Sequence, residues 1–201
     1  MKIIGLCGNS GSGKGYVCEI FKKHDVAFID TDKVYRESVL LNSDCVSELV
    51  EYFGSAILEN GRVSKNCLAK AVFEGEDAPK KLNRLNEITH KYIKVETVSL
   101  LSFFEKEGYG ATLVDAPVLF ESGFDKMCHV TICVTAPYET KLERIIKRDG
   151  ITREKAQARL EAQLKDTELR NRCTYEIDNT DGSDVEGQII SILKDLGIEK
   201  T

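Results

Sequence analysis

Short apolar segments recur along the chain and predict buried strands. Residues 3–7, 26–30 and 110–115 are mainly apolar, and 175–179 is a last segment that fits a strand. The run Val-Thr-Ile-Cys-Val at 130–134 is continuous and rich in β-branched residues, which is typical of a strand buried on both faces of a parallel sheet. The pattern therefore predicts a five-stranded sheet.

Segments with helical spacing lie between these strands. After the first strand, apolar residues recur at Val17, Ile20 and Phe21, at the period of a helix. Further helices are predicted at 33–40, 140–150, 152–159 and 183–196. Because strands alternate with helices, we expect one α/β domain over residues 1–201, built on a doubly wound, mostly parallel sheet.

The longest helical stretch separates the second and third predicted strands. Its periodicity runs from about 45 to 105, with breaks at Gly54, at Asn60-Gly61 and at Gly75. Asn-Gly is a hairpin signal, but the residues beside it do not alternate as strands do, so we expect a turn between helices. We interpret 33–107 as a helical insertion that could hold a substrate.

Composition limits the partners that the chain can bind. Of its 201 residues, 42% are hydrophobic and 30% are charged, and the formal net charge is −5. Because no basic run is available to pair with a nucleic-acid backbone, we do not expect nucleic acid as a partner. No apolar run is long enough to span a bilayer, so we do not expect a membrane partner either.

The cysteines indicate a reducing environment. There are seven of them, scattered along the chain, so they do not form a disulfide framework, and no Cys-x-x-Cys pair suggests zinc. The first strand begins close to Met1, without a signal peptide. We therefore expect a cytoplasmic protein, as a monomer or a weak homo-oligomer.

A glycine-rich loop follows the first strand. Its sequence is Gly8-Asn9-Ser10-Gly11-Ser12-Gly13-Lys14-Gly15. Gly-x-x-x-x-Gly-Lys between a strand and a helix is the spacing of a phosphate-binding P-loop. The glycines let backbone N–H groups face an anion, the helix N-terminus adds partial positive charge, and Lys14 reaches the β- and γ-phosphates. A plain glycine-rich turn would explain neither the glycine spacing nor the lysine.

The loop departs from the P-loop motif at one position. The motif places Ser or Thr after the lysine, where the hydroxyl binds Mg²⁺, and this chain has Gly15. Magnesium keeps several waters in most sites, so a water could replace the hydroxyl at a lower metal affinity. The same departure could also mark a chain that has lost catalysis.

Acidic residues follow two of the predicted strands. Asp30 and Asp32 come at the end of the second strand, and Asp115 ends the third, just before Pro117. Ligands of open α/β sheets bind at the carboxyl ends of the strands. One acid of the first pair could instead be the N-cap of the next helix, but a cap does not explain both.

Arginines recur on the helical hairpin at 140–170. Arg144 and Arg148 lie four residues apart on one helix face, and Arg159 and Gln163 repeat that spacing. Most of these charges fit a solvated surface with i,i+4 pairs. The alternative is a lid that brings guanidinium groups to a transferring phosphoryl.

Taken together, these motifs resemble the dephospho-CoA kinase family, P-loop kinases of the nucleoside-monophosphate-kinase type. Asp30-Thr31-Asp32 with Arg36, and Asp115-Ala116-Pro117-Val118-Leu119-Phe120-Glu121, are similar to two of its motifs. The other matching segments are Leu85-Asn86-x-Ile88-x-His90, Arg159-x-x-x-Gln163 and Ile177-Asp178-Asn179. The resemblance covers nearly the whole chain in order. Lys65 stands where the family usually has arginine.

The resemblance implies an activity and a set of site residues. The activity is transfer of the ATP γ-phosphate to the ribose 3′-hydroxyl of dephospho-CoA, with Mg²⁺. The implied catalytic residues are Asp32, Lys14 and Arg148, and the implied metal ligands are Asp32 and Asp115. The implied ATP contacts are the loop Gly8 to Gly15, Arg144, Arg148 and Asn179. The implied acceptor contacts are Asp32, Arg36, Lys65, His90, Pro117 and Leu119.

Two other functions stay open at this point. A P-loop kinase for another nucleotide-like acceptor would need an additional phosphate site in the insertion, whereas a pantetheine arm needs an apolar groove. A nucleotide-binding protein without turnover is favoured by Gly15 and opposed by Lys14, Asp32 and the arginine pairs, since Asp32 would be free to change in such a protein.

Overall fold

A computed structural model describes residues 1–198 of the chain. The strands are β1 (Lys2–Gly8), β2 (Ala27–Asp30), β3 (Leu58–Glu59), β4 (Arg62–Val63), β5 (Ala111–Asp115), β6 (Val130–Thr135) and β7 (Tyr175–Asp178). The helices are α1 (Lys14–Lys22), α2 (Thr31–Glu37), α3 (Ser43–Phe53), α4 (Lys65–Phe73), α5 (Ala78–Lys106), α6 (Tyr138–Asp149), α7 (Arg153–Glu161), α8 (Asp166–Arg172) and α9 (Val185–Asp195).

The chain divides into two compact units. The first contains residues 1–29 and 104–201, and the second contains residues 30–103. Among residues 1–198, no helix is both long enough and apolar enough to span a membrane.

The first unit is built on a five-stranded sheet of order β2-β5-β1-β6-β7. β1 pairs in parallel with both β5 and β6, and β6 pairs in parallel with β7. After β1 the chain continues to β2 at one edge of the sheet, whereas β6 and β7 lie on the other side of β1. The carboxyl end of β1 is therefore a switch point, the usual ligand position in such sheets. The predicted five-stranded α/β fold is confirmed.

Apolar faces of two helices form the core with the sheet. Val17 and Phe21 of α1, Ile189 of α9 and Ile4 and Leu6 of β1 belong to one buried cluster, and each of them is fully buried. Fixing α1 against β1 by this packing also fixes the two ends of the glycine-rich loop, which connects them.

The second unit is mainly helical, with α2, α3, α4 and most of α5. It also contains an antiparallel hairpin, in which Leu58 pairs with Val63 and Glu59 with Arg62. The expected turn between helices at Asn60-Gly61 is therefore wrong. Both turn residues have positive φ, 52° and 75°, as the favoured two-residue hairpin turn requires. Each strand is only two residues long, too short for alternation to be visible in the sequence.

The segment predicted as a lid contains three helices, α6, α7 and α8. α6 begins two residues earlier than expected, and the sequence pattern did not separate α8 from its neighbours. Leu142 and Ile145 of α6 pack with Ala156 and Leu160 of α7 in a small buried cluster. This cluster joins the first two helices into a hairpin. That the hairpin closes as a lid stays a prediction.

Candidate active site

The glycine-rich loop spans the gap between β1 and α1 at the switch point of the sheet. Gly11 and Gly13 both adopt positive φ, 77° and 87°, which non-glycine residues rarely adopt. The Ser12 N–H donates to the Asn9 carbonyl over 3.0 Å and closes the turn within the loop. The backbone therefore curls before α1 begins, in the manner that presents N–H groups to an anion.

Neighbouring elements approach this loop too closely for side chains at three of its glycines. A Cβ at Gly11 would collide with the Lys141 carbonyl oxygen, and one at Gly13 with the Asn179 Nδ2. A Cβ at Gly8 would lie 2.8 Å from the Val134 carbonyl oxygen. The loop is thus enclosed by β6, α6 and the end of β7. Space requires glycine at all three positions, and backbone angle requires it also at Gly11 and Gly13.

Gly15 differs from the other loop glycines. No neighbouring atom of the described structure lies within 4 Å of the position that its Cβ would take, and its φ is not positive. Space is therefore available for the hydroxyl side chain that the motif usually has.

Lys14 is ion-paired with Asp115, which ends β5. Both side chains are largely buried, with 17% and 14% of their surface exposed. The Cys18 thiol donates to Asp115 over 3.7 Å. Burial, aided by the Asp115 charge, raises the pKa of Cys18 to about 12, so that Cys18 stays a neutral thiol. The structure thus brings two predicted site residues together, with Asp115 holding the ammonium group near the start of α1.

Of the two arginines on α6, Arg144 is the one that contacts the loop. Its Nη1 lies 3.3 Å from the Gly11 carbonyl oxygen, and its Nη2 donates to the Asn179 carbonyl oxygen over 3.1 Å. Its Nη2 also donates to the Asp181 carboxylate over 2.8 Å. The Asn179 Nδ2 donates to the Ser12 carbonyl oxygen over 2.8 Å. The predicted ATP contacts Arg144 and Asn179 therefore lie at the loop.

Arg148 is held elsewhere on the hairpin. It donates to both carboxylate oxygens of Asp149, over 2.7 and 2.9 Å, and its side chain is 59% exposed. Arg159 pairs with the same carboxylate. These guanidinium groups, that of Arg148 foremost, hold the pKa of Asp149 at about 2. The predicted catalytic role of Arg148 requires it to leave Asp149.

A polar network that the sequence did not predict joins the loop to the segment between α7 and α8. The Asn9 Nδ2 donates to the Leu164 carbonyl oxygen over 2.8 Å and to the Asp166 carboxylate over 2.7 Å. Lys141, only 5% exposed, donates to both oxygens of Asp166 over 2.7 and 2.8 Å. The one signal in the sequence is a lysine on the apolar face of α6, next to Leu142, because a buried lysine needs a carboxylate partner.

Two cavities open beside the loop within the first unit. One of about 460 Å³ is lined by the residues around Arg144 and Asn179, namely Gly13, Tyr16, Thr180, Asp181, Gly182, Ser183 and Val185. The other, of about 860 Å³, lies between the start of the loop, the segment 117–121 and the segment 160–169. Pro117 is exposed at this second cavity, whereas Leu119 is fully buried. Leu119 is therefore part of its floor.

Four predicted site residues lie in the second unit. Asp30 caps α2 by accepting from the Lys33 N–H over 2.9 Å, whereas Asp32 is exposed and has no hydrogen bond or ion pair within its unit. Arg36 and Lys65 are also exposed. Burial lowers the pKa of His90 on α5, and the Lys94 charge adds to this shift.

Within residues 1–198, no group of three or more His, Cys, Asp or Glu side chains is arranged as a metal site. Mg²⁺ is usually held by one or two carboxylates together with substrate phosphates and water. Asp115 in the first unit and Asp32 in the second have the oxygen donors that this metal prefers.

A parallel α/β sheet, a P-loop at its switch point and an arginine of α6 that contacts the loop define a P-loop kinase. A family model described as dephospho-CoA kinase matches residues 2–184. The chain belongs to the dephospho-CoA kinase family, and it is by family a kinase that transfers phosphate to an alcohol group.

Individual relatives agree with this family. A dephospho-CoA kinase of Lactobacillus johnsonii is 30% identical over 196 residues, which cover 96% of this chain and 98% of the relative. A crystal structure of a Thermus thermophilus protein is 28% identical, with a TM-score of 0.78 over 100% of this chain and 98% of that one. A dephospho-CoA kinase of Campylobacter jejuni shares the fold, at 24% identity and a TM-score of 0.70 over 98% of each chain.

The contrast between Gly13 and Gly15 predicts opposite effects of one substitution. Gly13→Ala should lower the free energy of unfolding by roughly 1–3 kcal/mol, the cost of a strained φ. The loss should be larger still because the new Cβ would also collide with Asn179. Gly15→Ala should raise it by about 0.4–1 kcal/mol, since alanine fits this helical position. Urea unfolding of the two variants measures both values. Equal stability of the two variants would contradict this account of the loop.

Proposed function

We propose that this protein transfers the γ-phosphoryl group of ATP to the 3′-hydroxyl of the ribose of dephospho-CoA, giving CoA and ADP. The observation that carries the proposal is the family match over residues 2–184. Lys14 in the P-loop and Arg144, which contacts the loop from α6, support it. Dephospho-CoA is the family's substrate, and the ribose 3′-hydroxyl is the proposed site of transfer.

The first unit supplies the positive charge for this reaction. Phosphoryl transfer depends mainly on positioning and on neutralising the phosphate oxygens. The loop N–H groups and Lys14 would bind the β- and γ-phosphates, with Lys14 exchanging Asp115 for them. Arg144 would approach the phosphates or the base from the smaller cavity, which we assign to the nucleoside of ATP. Arg148 would join them after exchanging Asp149.

Asp32 is the proposed general base. The ribose hydroxyl oxygen attacks the γ-phosphorus, the bond to the β,γ-bridging oxygen breaks, and the hydroxyl proton moves to the Asp32 carboxylate. Asp30 is engaged as a helix cap, whereas Asp32 has no partner within its unit. A free carboxylate can accept a proton without first breaking another bond.

Candidate acceptor residues are proposed in each unit separately. We assign its apolar arm to the larger cavity of the first unit, where Pro117 is exposed and Leu119 lies in the floor. Arg36, Lys65 and His90 are the proposed contacts in the second unit.

We also propose a cytoplasmic location, because the seven cysteines are all free. The proposed working state is a monomer or a weak homo-oligomer.

Mg²⁺ would enter as Mg·ATP and neutralise charge on the β- and γ-phosphates. Asp32 and Asp115 are the proposed carboxylates for its shell, directly or through water. Gly15 has no hydroxyl to offer, so a water would take that position.

The reaction is tested by a coupled assay of ADP release with Mg·ATP, with and without dephospho-CoA, with the product identified by mass. We expect ADP release that depends on both substrates and yields a product with the mass of CoA. Tight ATP binding without CoA, even at high magnesium, would contradict the proposal and favour a non-catalytic nucleotide-binding protein. ADP release with another nucleotide-like acceptor instead would favour a different kinase.

Asp32 is tested by a matched pair of substitutions. Asp32→Asn should lower turnover by about 10²–10⁴-fold, the usual contribution of a general base, and leave ATP affinity nearly unchanged. Asp30→Asn is the control, because asparagine caps a helix as well as aspartate does. Steady-state kinetics and ATP titration of both variants measure the difference. Equal turnover in the two variants would remove Asp32 as the base.

Gly15 is tested through the magnesium dependence of the rate. Gly15→Ser restores a hydroxyl at a position with free space, so the magnesium concentration at half-maximal rate should fall by about 10–100-fold. Gly15→Ala is the control, because it adds the Cβ without the oxygen. If both variants shift the magnesium curve alike, the metal does not use this position.

A further inference from the structure

Gln163 contacts the P-loop through its side chain, and the function proposed above does not use this residue. Its side-chain Oε1 accepts from the backbone N–H of Ser10 over 3.0 Å. It belongs to the segment between α7 and α8, which Asn9 also binds through Leu164 and Asp166. The Gln163 carboxamide is therefore held at the loop by its own bond to Ser10 and by the bonds of Asn9 to the residues that follow it.

The bond to Ser10 engages one of the N–H groups that a P-loop offers to phosphate. A backbone N–H only donates, so the oxygen of the carboxamide must face it. A phosphate oxygen that took this N–H would meet the Gln163 oxygen, and two acceptors repel each other. The carboxamide also carries an NH₂ group, which could donate to the phosphate after a rotation of the amide.

The position of Ser10 in the loop indicates which phosphate is involved. Gly13 and Lys14 stand at the start of α1, where the helix N-terminus binds the phosphate nearest to it. Ser10 lies within the turn from Asn9 to Ser12, before the residues that lead into α1, and next to the segment between α7 and α8. Because this position is farther along the loop from α1, we expect its N–H group to face the end of the phosphate chain.

We propose that Gln163 distinguishes ATP from ADP by a hydrogen bond to the terminal phosphate. In the free protein its oxygen accepts from the Ser10 N–H. With ATP bound, the amide turns and its NH₂ group donates to a γ-phosphate oxygen. This inference rests on the proposed binding of ATP at the loop. It gives the segment between α7 and α8 a contact that exists with the triphosphate and is lost when the phosphoryl group leaves.

Calorimetric titrations of Mg·ATP and Mg·ADP, without acceptor, test this role. In Gln163→Ala, the ratio of the ATP dissociation constant to the ADP dissociation constant should rise about tenfold, a common effect of losing one hydrogen bond to a charged group. In Gln163→Glu it should rise further, because a carboxylate keeps the acceptor for Ser10 but has no donor and repels the phosphate.

Matched controls come from the same hairpin. Gln157 lies on α7, so Gln157→Ala and Gln157→Glu make the same changes of size and charge away from the loop. We expect both controls to keep the wild-type ratio. Thermal unfolding without nucleotide checks that each variant is folded.

Three results separate the possibilities. If Gln163 only occupies the Ser10 N–H and so competes with any nucleotide, Gln163→Ala will bind ATP and ADP more tightly by the same factor. In that case the inference is wrong. An unchanged ratio with unchanged affinities would overturn it as well. If the wild-type protein binds ATP but forms no CoA, the proposed reaction fails, whereas the ratio still decides the role of Gln163.

Discussion

The close approach of backbone at the glycine-rich loop is the constraint on which the rest of the site depends. Gly11 faces the carbonyl of Lys141, and Gly13 faces the side chain of Asn179, with no room for a Cβ at either position. Three segments that are distant in sequence, the loop, α6 and the end of β7, can meet only because these residues are glycines. The contact places Arg144 and Asn179 at the loop. The same glycines that shape the anion site therefore also determine which side chains surround it.

Paired charges keep this cationic site compatible with a folded, ligand-free chain. Lys14 is bound by Asp115, Lys141 by Asp166, and Arg144 by Asp181. A buried cation without a carboxylate would destabilise the fold by several kcal/mol, roughly the cost of breaking a buried ion pair. The three pairs are not equivalent, because Asp181 is 84% exposed and its bond to Arg144 is screened by water. In the proposed complex, a phosphate would therefore replace Asp181 at small cost, whereas the largely buried pair of Lys141 and Asp166 supports the loop through Asn9.

The sequence predicted the local features of this protein and missed those that depend on tertiary contacts. The five strands of the sheet and the P-loop could be predicted because an apolar run and a glycine spacing are readable within a few residues. The bonds from Asn9 to Asp166 and from Ser10 to Gln163 join positions more than 150 residues apart, so no local sequence pattern predicts them. Arg144 and Arg148 are equivalent on a helix face, and only the position of α6 separates them. The Asn60-Gly61 hairpin was missed because its strands are two residues long.

Gly15 is the position where packing offers no explanation for the residue. Its φ is not positive, so the backbone does not require glycine, and no neighbour among residues 1–198 restricts a side chain there. Glycine within a helix is about 1 kcal/mol less favourable than alanine, so stability does not favour it either. What distinguishes Gly15 from the Ser or Thr of the usual motif is then the missing hydroxyl alone. In the proposed complex, a metal shell at this corner would consist of phosphate oxygens, carboxylates and water, and Lys14, Arg144 and the loop N–H groups would contribute more to the binding of Mg·ATP.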